Sequence, residues 1–526
     1  MKDIIRKINK SHTLGVAAFL ISLSFLFSRV LGLFRDRLLA TNFGVGPAAD
    51  AYTAAFRIPD LLFTLLISGA FAVSFIPVFV GYIEKKKTEE AWEIANIVLN
   101  TISVLTIGLA VLSFIFTEPL VKVIVPGFDK ERFDLTVNLT RIMLVTPFLF
   151  GLSSVFAAIQ QSFNRFTLFA LSSAFYNVGI IAGILFFSNY TAQPIYGVAF
   201  GVVFGTLIQV LAQLIGMVGL GFKYQFKLRF WHPAVLKIMG LMVPRSLDLG
   251  IDQLNTIIET AIGSRLATGS LASYYYANNL KNVPVGLFGG AIATAIFPSL
   301  IRAAKSADPS KLIRSIVNNL RLVSFLVIPA TAVAIILRGY IVRLLFGFGD
   351  QATADTLGWL APTIAAQSIF FVVARIFYSL EDTKTPLLTS LASVVINIIF
   401  SFILSARYGV SGLAMAMSIA MVLELIILMA LLRRKIGPFG FRGIAIHAIK
   451  VGAASLAMSV AMYLMTYDVF PILKNDVGFS LVAPKFAAIC LVGLAVFGVF
   501  SYALWIGETK VVLNWTRHNI RRLRFW

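Results

Sequence analysis

An all-α polytopic membrane protein is the fold class this sequence predicts, and three observations carry it. Of the 526 residues 58% are hydrophobic and only 13% charged, with a mean hydropathy of +0.87; a soluble chain carries roughly 25% charged residues. Apolar runs of about 20 residues, the length that crosses a bilayer as a helix, recur from one end to the other. Lysine and arginine collect at alternate ends of those runs. The stretches between runs are too short for a soluble catalytic domain.

The chain opens with Lys2, Arg6, Lys7 and Lys10 ahead of an apolar run, like the basic region of a signal peptide. The run continues into Arg29 and Arg35 without a small-residue cleavage site, so a retained first helix with a cytoplasmic start is expected. About fourteen spans follow from hydropathy. In order they are 14–43, 49–82, 93–117, 138–163, 167–188, 195–222 and 238–265, then 272–302, 312–338, 355–380, 386–405, 411–432, 443–466 and 485–507. The first is the weakest, because its clean apolar part covers only 14–28; it crosses only if its charged stretch lies in the membrane too. Pro147, Pro244 and Pro329 are expected to mark kinks.

Lys85–Lys87, the 223–237 loop, Arg433–Lys435 and the tail Lys510–Arg524 far outnumber Lys130, Arg132, Arg338, Arg343 and Lys474 on the other side. That asymmetry places both termini in the cytoplasm of a multi-pass plasma-membrane protein and requires an even number of spans. The basic tail, 508–526, is expected to lie along the anionic inner surface of membrane lipids. A net charge of +21 would suggest nucleic acid in a soluble protein; here it reads as topology, with no nucleic-acid partner. One cysteine, Cys490, excludes a disulfide framework, and His12, His232, His447 and His518 are scattered without metal-ligand spacing. No P-loop, nucleophile elbow or carboxylate cluster near a membrane face is present, so the chain is not read as an enzyme, and no nucleotide site is available to drive transport.

An internal repeat organises the spans. Gly69-Ala70-x-Ala72-x4-Pro77 recurs as Gly290-Ala291-x-Ala293-x4-Pro298, Leu39-Ala40-Thr41 as Leu266-Ala267-Thr268, and Tyr196-Gly197 as Tyr408-Gly409. The expected architecture is two six-helix lobes around a central cationic cavity, related by an axis along the membrane normal. Residues 1–222 form the first lobe, 223–237 a cytoplasmic linker and 238–435 the second lobe. Residues 436–507 hold two extra C-terminal helices.

Charges inside the spans are the candidate functional residues. A charge at bilayer depth costs at least about 2.5–3.5 kcal/mol and is kept where it lines a watery cavity. Arg29 and Asp36 are seven apart and share a helix face, while Arg35 points about 120° away. Asp50 and Arg57 share a face on the next helix. Arginines outnumber acids here, which suits a phosphate or diphosphate gripped in bidentate fashion; the alternative is a salt-bridge network that only locks helices together. Arg37 is nearer the span end and is expected to snorkel. In the seventh span Arg245, Asp248, Asp252 and Glu259 surround Asn255. The three acids fall close to one face and are candidates for a coupling cation such as Na+ or H+, or equally partners for Arg245 and Lys281. Asn397 and Ser401 in the eleventh span are candidates to complete that oxygen site. Arg375 and Glu424 are lone charges within spans.

The string Ser28-Arg29-Val30-Leu31-Gly32-Leu33-Phe34-Arg35-Asp36 resembles the first-helix signature of the MurJ (MviN) lipid II flippases, part of the superfamily that includes multidrug extruders and polysaccharide flippases. Further likeness runs through Ala49-Asp50-Ala51-Tyr52, Gly69-Ala70-Phe71, Pro126-Gly127-Phe128, Asn164-Arg165-Phe166, Tyr275-Tyr276-Ala277 and Phe377-Tyr378-Ser379-x-x-Asp382-Thr383-Lys384-Thr385-Pro386. The resemblance implies an alternating-access flippase that carries lipid II, the undecaprenyl-diphosphate-linked peptidoglycan precursor, to the outer face of the cell inner membrane for cell-wall biogenesis and cell shape. It implies that cavity arginines meet the headgroup, that the last two helices offer a groove for the lipid tail, and that cell-wall synthesis machinery is a candidate partner. Arg29, Arg35, Asp36 and Asp50 carry over, and Arg57 matches a basic position. The family's Tyr-Tyr-Ala-Asp/Asn-Arg reads Asn278-Asn279 here, so a second-lobe arginine is missing; Asn279 and Lys281 become the candidates in its place. Phe63-Thr64 stands where many members have two arginines, and Ser68 where they have an acid. Flippases for other polyprenyl-diphosphate glycans, cation-coupled drug extruders and a non-transporting scaffold are the competing readings; surplus arginine argues against the extruder.

Overall fold

The computed structural model describes residues 14–509 apart from 68–69, 307, 348, 439, 474–475 and 477. The expectations for the N-terminal basic stretch, Lys474, the tail from residue 510 and the Gly69 member of the repeat lie outside the described residues. Every regular element among those described is helical, which is how a chain satisfies its backbone in hydrocarbon.

The chain divides into two compact units between Ala272 and Ser273. The first holds α1 (Leu14–Phe43), α2 (Pro47–Ala55), α3 (Arg57–Leu66), α4 (Ala70–Glu84), α5 (Thr88–Ile115), α6 (Thr117–Ile124), α7 (Lys130–Met143), α8 (Thr146–Ser162), α9 (Thr167–Leu185), α10 (Pro194–Met217) and α11 (Pro233–Gly263). Helix α12 (Ser270–Pro284) begins in the first unit and runs into the second. There follow α13 (Ala291–Ala304), α14 (Pro309–Ile336), α15 (Arg338–Phe346), α16 (Gln351–Leu360), α17 (Pro362–Ser379), α18 (Lys384–Tyr408), α19 (Val410–Ile436), α20 (Phe441–Leu464) and α21 (Phe479–Ala503).

Each predicted span falls on helical residues, some of them divided between two or three helices. Among the described residues 12 helical stretches are long and apolar enough to cross a membrane. The first and seventh predicted spans, α1 and α11, are not among those 12; part of each helix lies outside the residues whose side chains are described. The expected count of fourteen is not confirmed by these 12 stretches.

Helix α11 packs within the first unit, although the sequence reading opens the second lobe at residue 238. Its N-terminal half adds Ala234, Val235, Ile238 and Met242 to the core built by Phe71, Phe75 and Phe79 of α4. Those phenylalanines repeat every four residues and stack on one another at 5.2 Å. Its C-terminal half is tied by polar contacts to α3: Gln253 Nε2 donates to Thr64 Oγ1 at 3.4 Å and Arg57 Nε to Thr260 Oγ1 at 2.9 Å. Helices α20 and α21 belong to the second unit, where Val451, Met458, Met462, Val482 and Ile489 pack on Phe325 of α14 and its neighbours.

Within each unit the duplicated motif acquires a structural meaning. In the second span of the first half α3 ends at Leu66, and α4 is described from Ala70. In the second half a wider π turn at Val285–Gly290 precedes a helix that resumes at Ala291. Pro77 and Pro298 sit at matching positions inside α4 and α13. A second correspondence lies between the fourth and fifth spans. Asn164 and Glu381 are non-glycine residues with φ of 57° and 60°, a left-handed conformation that side chains adopt rarely. The turn beside Asn164 is lashed to the end of α10, because Arg165 donates to the carbonyls of Gly216 and Val218 at 3.0 and 2.8 Å. The turn beside Glu381 is lashed to the end of α19, where Lys435 pairs with Asp382. Asp382 also accepts from the amide and hydroxyl of Thr385 at 3.0 and 2.8 Å, closing the turn that starts α18. This explains the Asp-Thr-Lys-Thr-Pro string as a helix-initiating turn.

Of the expected kinks, Pro147 stands at the start of α8, after the break at Leu144–Val145. Pro329 lies inside the uninterrupted α14. The side chain of Pro244 lies outside the described residues.

Candidate functional site

Helix α1 brings Arg29, Arg35 and Asp36 into the first unit by packing along α9. Gly32 faces Asn177 of α9, whose amide lies 3.9 Å from where a Cβ would stand, an ordinary van der Waals distance. Arg35 donates from Nε and an Nη to Asp36 Oδ1 at 3.0 and 2.8 Å, and from the other Nη to Asn177 Oδ1 at 3.0 Å. Asn177 in turn donates to the carbonyl and hydroxyl of Ser28 at 3.4 and 3.3 Å. Asp36 is buried and Arg35 half-buried. Arg29 differs from both. It is exposed, and among the described residues it makes no hydrogen bond or ion pair. Within α1 it is an available guanidinium.

The structure assigns Asp50 a task that its position in the sequence did not reveal. It is only 1% exposed. Its Oδ2 accepts the amide of Gly269 at 2.6 Å and its Oδ1 the amide of Ala272 at 2.9 Å, with Arg132 at 3.7 Å. These amides open α12 and have no partner within the helix, so Asp50 caps a helix that lies some 220 residues further along the chain. Gly269, at φ 91° and with Val45 only 2.7 Å from where its Cβ would be, makes the turn that presents those amides.

Arg57 is half-buried at the start of α3 and faces α11 through Thr260. Asp60, one turn later on the same helix, lies within the electrostatic reach of Arg57. Sequence reasoning missed Asp60; an acid three residues after a charged Arg in an apolar span was the available signal. On α11, Glu259 is buried and accepts from Asn255 Nδ2 at 3.3 Å, whereas Asp252 is exposed. The first unit therefore places Arg57 and this polar stretch of α11 on neighbouring helices. The side chains of Asp248 and Arg245 lie outside the described residues.

The remaining candidates belong to the second unit. Lys281 is 2% exposed and donates to Gln367 Oε1 at 3.3 Å, while Asn279 is half-buried two residues earlier. Asn397 and Ser401 are buried on α18, one turn apart, with the hydroxyl 3.4 Å from the amide oxygen. Glu424 accepts from Ser390 at 2.7 Å, and Arg375 lies over the rings of Phe297 and Tyr378. No cluster of three or more metal-ligating side chains occurs among the described residues.

Comparison with known proteins places these residues in context. A family model described as lipid II flippase MurJ matches residues 39–471. The lipid II flippase MurJ of Burkholderia cenocepacia is 30% identical over 429 residues, covering 78% of this chain and 82% of its own. A probable lipid II flippase MurJ of Bdellovibrio bacteriovorus is 28% identical over 515 residues, covering 96% of each. Among solved structures, a lipid II flippase MurJ in an inward closed conformation superposes with a TM-score of 0.78 at 25% identity, over 93% of this chain and 99% of that one. An inward-facing multidrug transporter of the MATE family gives 0.68 at 15% identity over 80% of this chain and 98% of that one, a likeness of fold alone.

Proposed function

We propose, for a chain that belongs to the lipid II flippase MurJ family, a mechanism in which lipid II crosses the membrane by alternating access and its diphosphate is met by arginines of the first unit. The observation that carries this assignment of residues is Arg29: exposed, on a predominantly apolar helix, and without a hydrogen bond or ion pair among the described residues. A diphosphate supplies the anionic oxygens that a guanidinium fits in bidentate geometry. Arg35 serves as a positioned neighbour, its charge already shared with Asp36 and its orientation set by Asn177. Arg57 joins α3 to α11, and through it a movement of either helix reaches the other.

The protein sits in the cytoplasmic membrane with both termini inside, as the distribution of basic loops supports. With no nucleotide motif in the chain, transport draws on a gradient, the membrane potential or removal of product. Glu259, buried beside Asn255, is the acid placed to carry a coupling proton or cation. The buried Asn397 and Ser401 are a second oxygen pair of the same character.

The test is complementation of cells depleted of their own lipid II flippase. Arg29→Ala is expected to abolish rescue while leaving the amount of protein in the membrane unchanged, and Arg29→Lys to restore part of it. Full rescue by Arg29→Ala would overturn this assignment.

A further inference from the structure

The second unit contains a cavity of about 650 Å³ that the transport mechanism does not use. Its walls come from α14, α17, α19 and α20, and most of its lining is aliphatic: Leu320, Ile369, Leu425, Met429, Ile444 and Ala448 among others. Helix α21 does not line it. The volume falls in the range of small-molecule sites, roughly 300–1,000 Å³. A cavity lined in this way takes hydrocarbon.

One end of it is chemically different. Arg433 and Arg434 line the cavity from the last turn of α19 and are both exposed. Neither makes a hydrogen bond or ion pair with a described residue, and Arg433 lies over the ring of Phe441 at 5.7 Å. Two arginines at a helix end complement its dipole, and that requires no cavity. Here they stand at the rim of an apolar chamber, and Phe441, which holds Arg433 in place, is also a wall residue. Hydrocarbon walls with a paired cationic rim are complementary to an amphiphile with an anionic head.

We infer that this cavity is a binding site for an anionic glycerophospholipid, which lays an acyl chain along the α14–α19–α20 walls and its phosphate against Arg433 and Arg434. The site is separate from the arginines proposed to meet lipid II, and it does not depend on that assignment. The phosphate gains charge-assisted hydrogen bonds at the rim, and the chain shields aliphatic side chains that would otherwise meet headgroup water. Lys435, the next residue, is already engaged by Asp382 and does not compete for the lipid.

The experiment takes the full-length protein from vesicles of equal parts phosphatidylglycerol and phosphatidylcholine and counts retained lipid by native mass spectrometry. Wild type should retain phosphatidylglycerol in preference to phosphatidylcholine. The double substitution Arg433→Gln/Arg434→Gln should lower that retention at least tenfold, the effect of losing one charge-assisted bond. Arg433→Lys/Arg434→Lys should keep most of it. Ala448→Phe, which fills the cavity from the wall, should lower it with the arginines intact. Equal retention of both lipids by wild type, or phosphatidylglycerol retention unchanged in the glutamine variant, would overturn the inference. Displacement of phosphatidylglycerol by a polyprenyl diphosphate with the same dependence on Arg433 and Arg434 would also overturn it, because the cavity would then belong to the transported lipid.

Discussion

Replacing Asp50 separates a residue that shapes the first unit from one that handles substrate. In Asp50→Ala the amides of Gly269 and Ala272 lose their acceptor in a place where the side chain was 1% exposed and water is excluded. Each buried donor left without a partner costs about 1–3 kcal/mol, and loss of a helix-capping acceptor costs about 0.5–2 kcal/mol. Arg132 adds little to this sum, because Asp129 holds it independently at 2.7 Å. The two amides together put the cost near 3 kcal/mol. Asp50→Asn keeps one carbonyl oxygen and should cost about half as much. The assay is thermal unfolding of the purified protein at a fixed scan rate, since large membrane proteins unfold irreversibly, alongside membrane abundance and rescue of flippase-depleted cells. Asp50→Ala should melt earlier and accumulate less, with rescue falling in step with abundance. Asp50→Asn should fall between it and wild type on every measure. A variant that melts and accumulates like wild type yet fails to rescue would refute the capping argument and return Asp50 to the substrate path.

Further expectations follow from other contacts. Gly183 of α9 meets α10 so closely that a Cβ would lie 2.7 Å from the Gly201 Cα, and helices in membranes approach through such small residues; Gly183→Leu should abolish accumulation of folded protein, and normal amounts in the membrane would contradict the packing. Burial pushes the Asp382 carboxyl up, but Lys435 and the Thr385 amide and hydroxyl together hold it down at about 2. A depressed carboxylate stabilises the fold above its unfolded value and ceases to do so as pH falls through its folded one. The Asp382→Asn melting deficit, about 1–2 kcal/mol after allowing for the partly exposed Lys435, should therefore persist at neutral pH and close between pH about 4 and 2; a deficit independent of pH would refute it. Asp60→Asn should impair rescue less than Arg57→Ala does, since Arg57 keeps its bond to Thr260; complementation titrated against protein amount measures both.

Spans were legible because their signal is local: a run of apolar side chains long enough to cross hydrocarbon is visible without knowing what it touches. The duplicated Ala-x-Ala-x4-Pro motif was legible for the same reason, and its prolines lie at matching positions inside α4 and α13. Packing was not legible. Nothing in α11 announces that it joins the first unit, because that depends on Thr64, Leu65 and Arg57 lying opposite Gln253, Gly250 and Thr260. Helical spacing placed Arg29 and Asp36 on one face, yet Arg35, the adjacent residue, takes the Asp36 carboxylate, because Asn177, 142 positions away, turns it there. Asp50 and its amides are more than 200 positions apart. Its charge drew attention to it, but sequence gives no sign of a turn around Gly269.

The two lashings at the ends of α10 and α19 occupy equivalent places and use unlike chemistry. In the first unit a guanidinium holds backbone carbonyls, which neither titrate nor attract counter-ions strongly. In the second an ammonium holds a carboxylate, so acid discharges it and concentrated electrolyte weakens it. The ancestral symmetry of the halves thus conceals unequal sensitivity to the medium. Strong acid or brine loosens the fifth helix of the later half from its sixth and leaves the earlier half bound, so conditions alone can make one repeat yield before its twin.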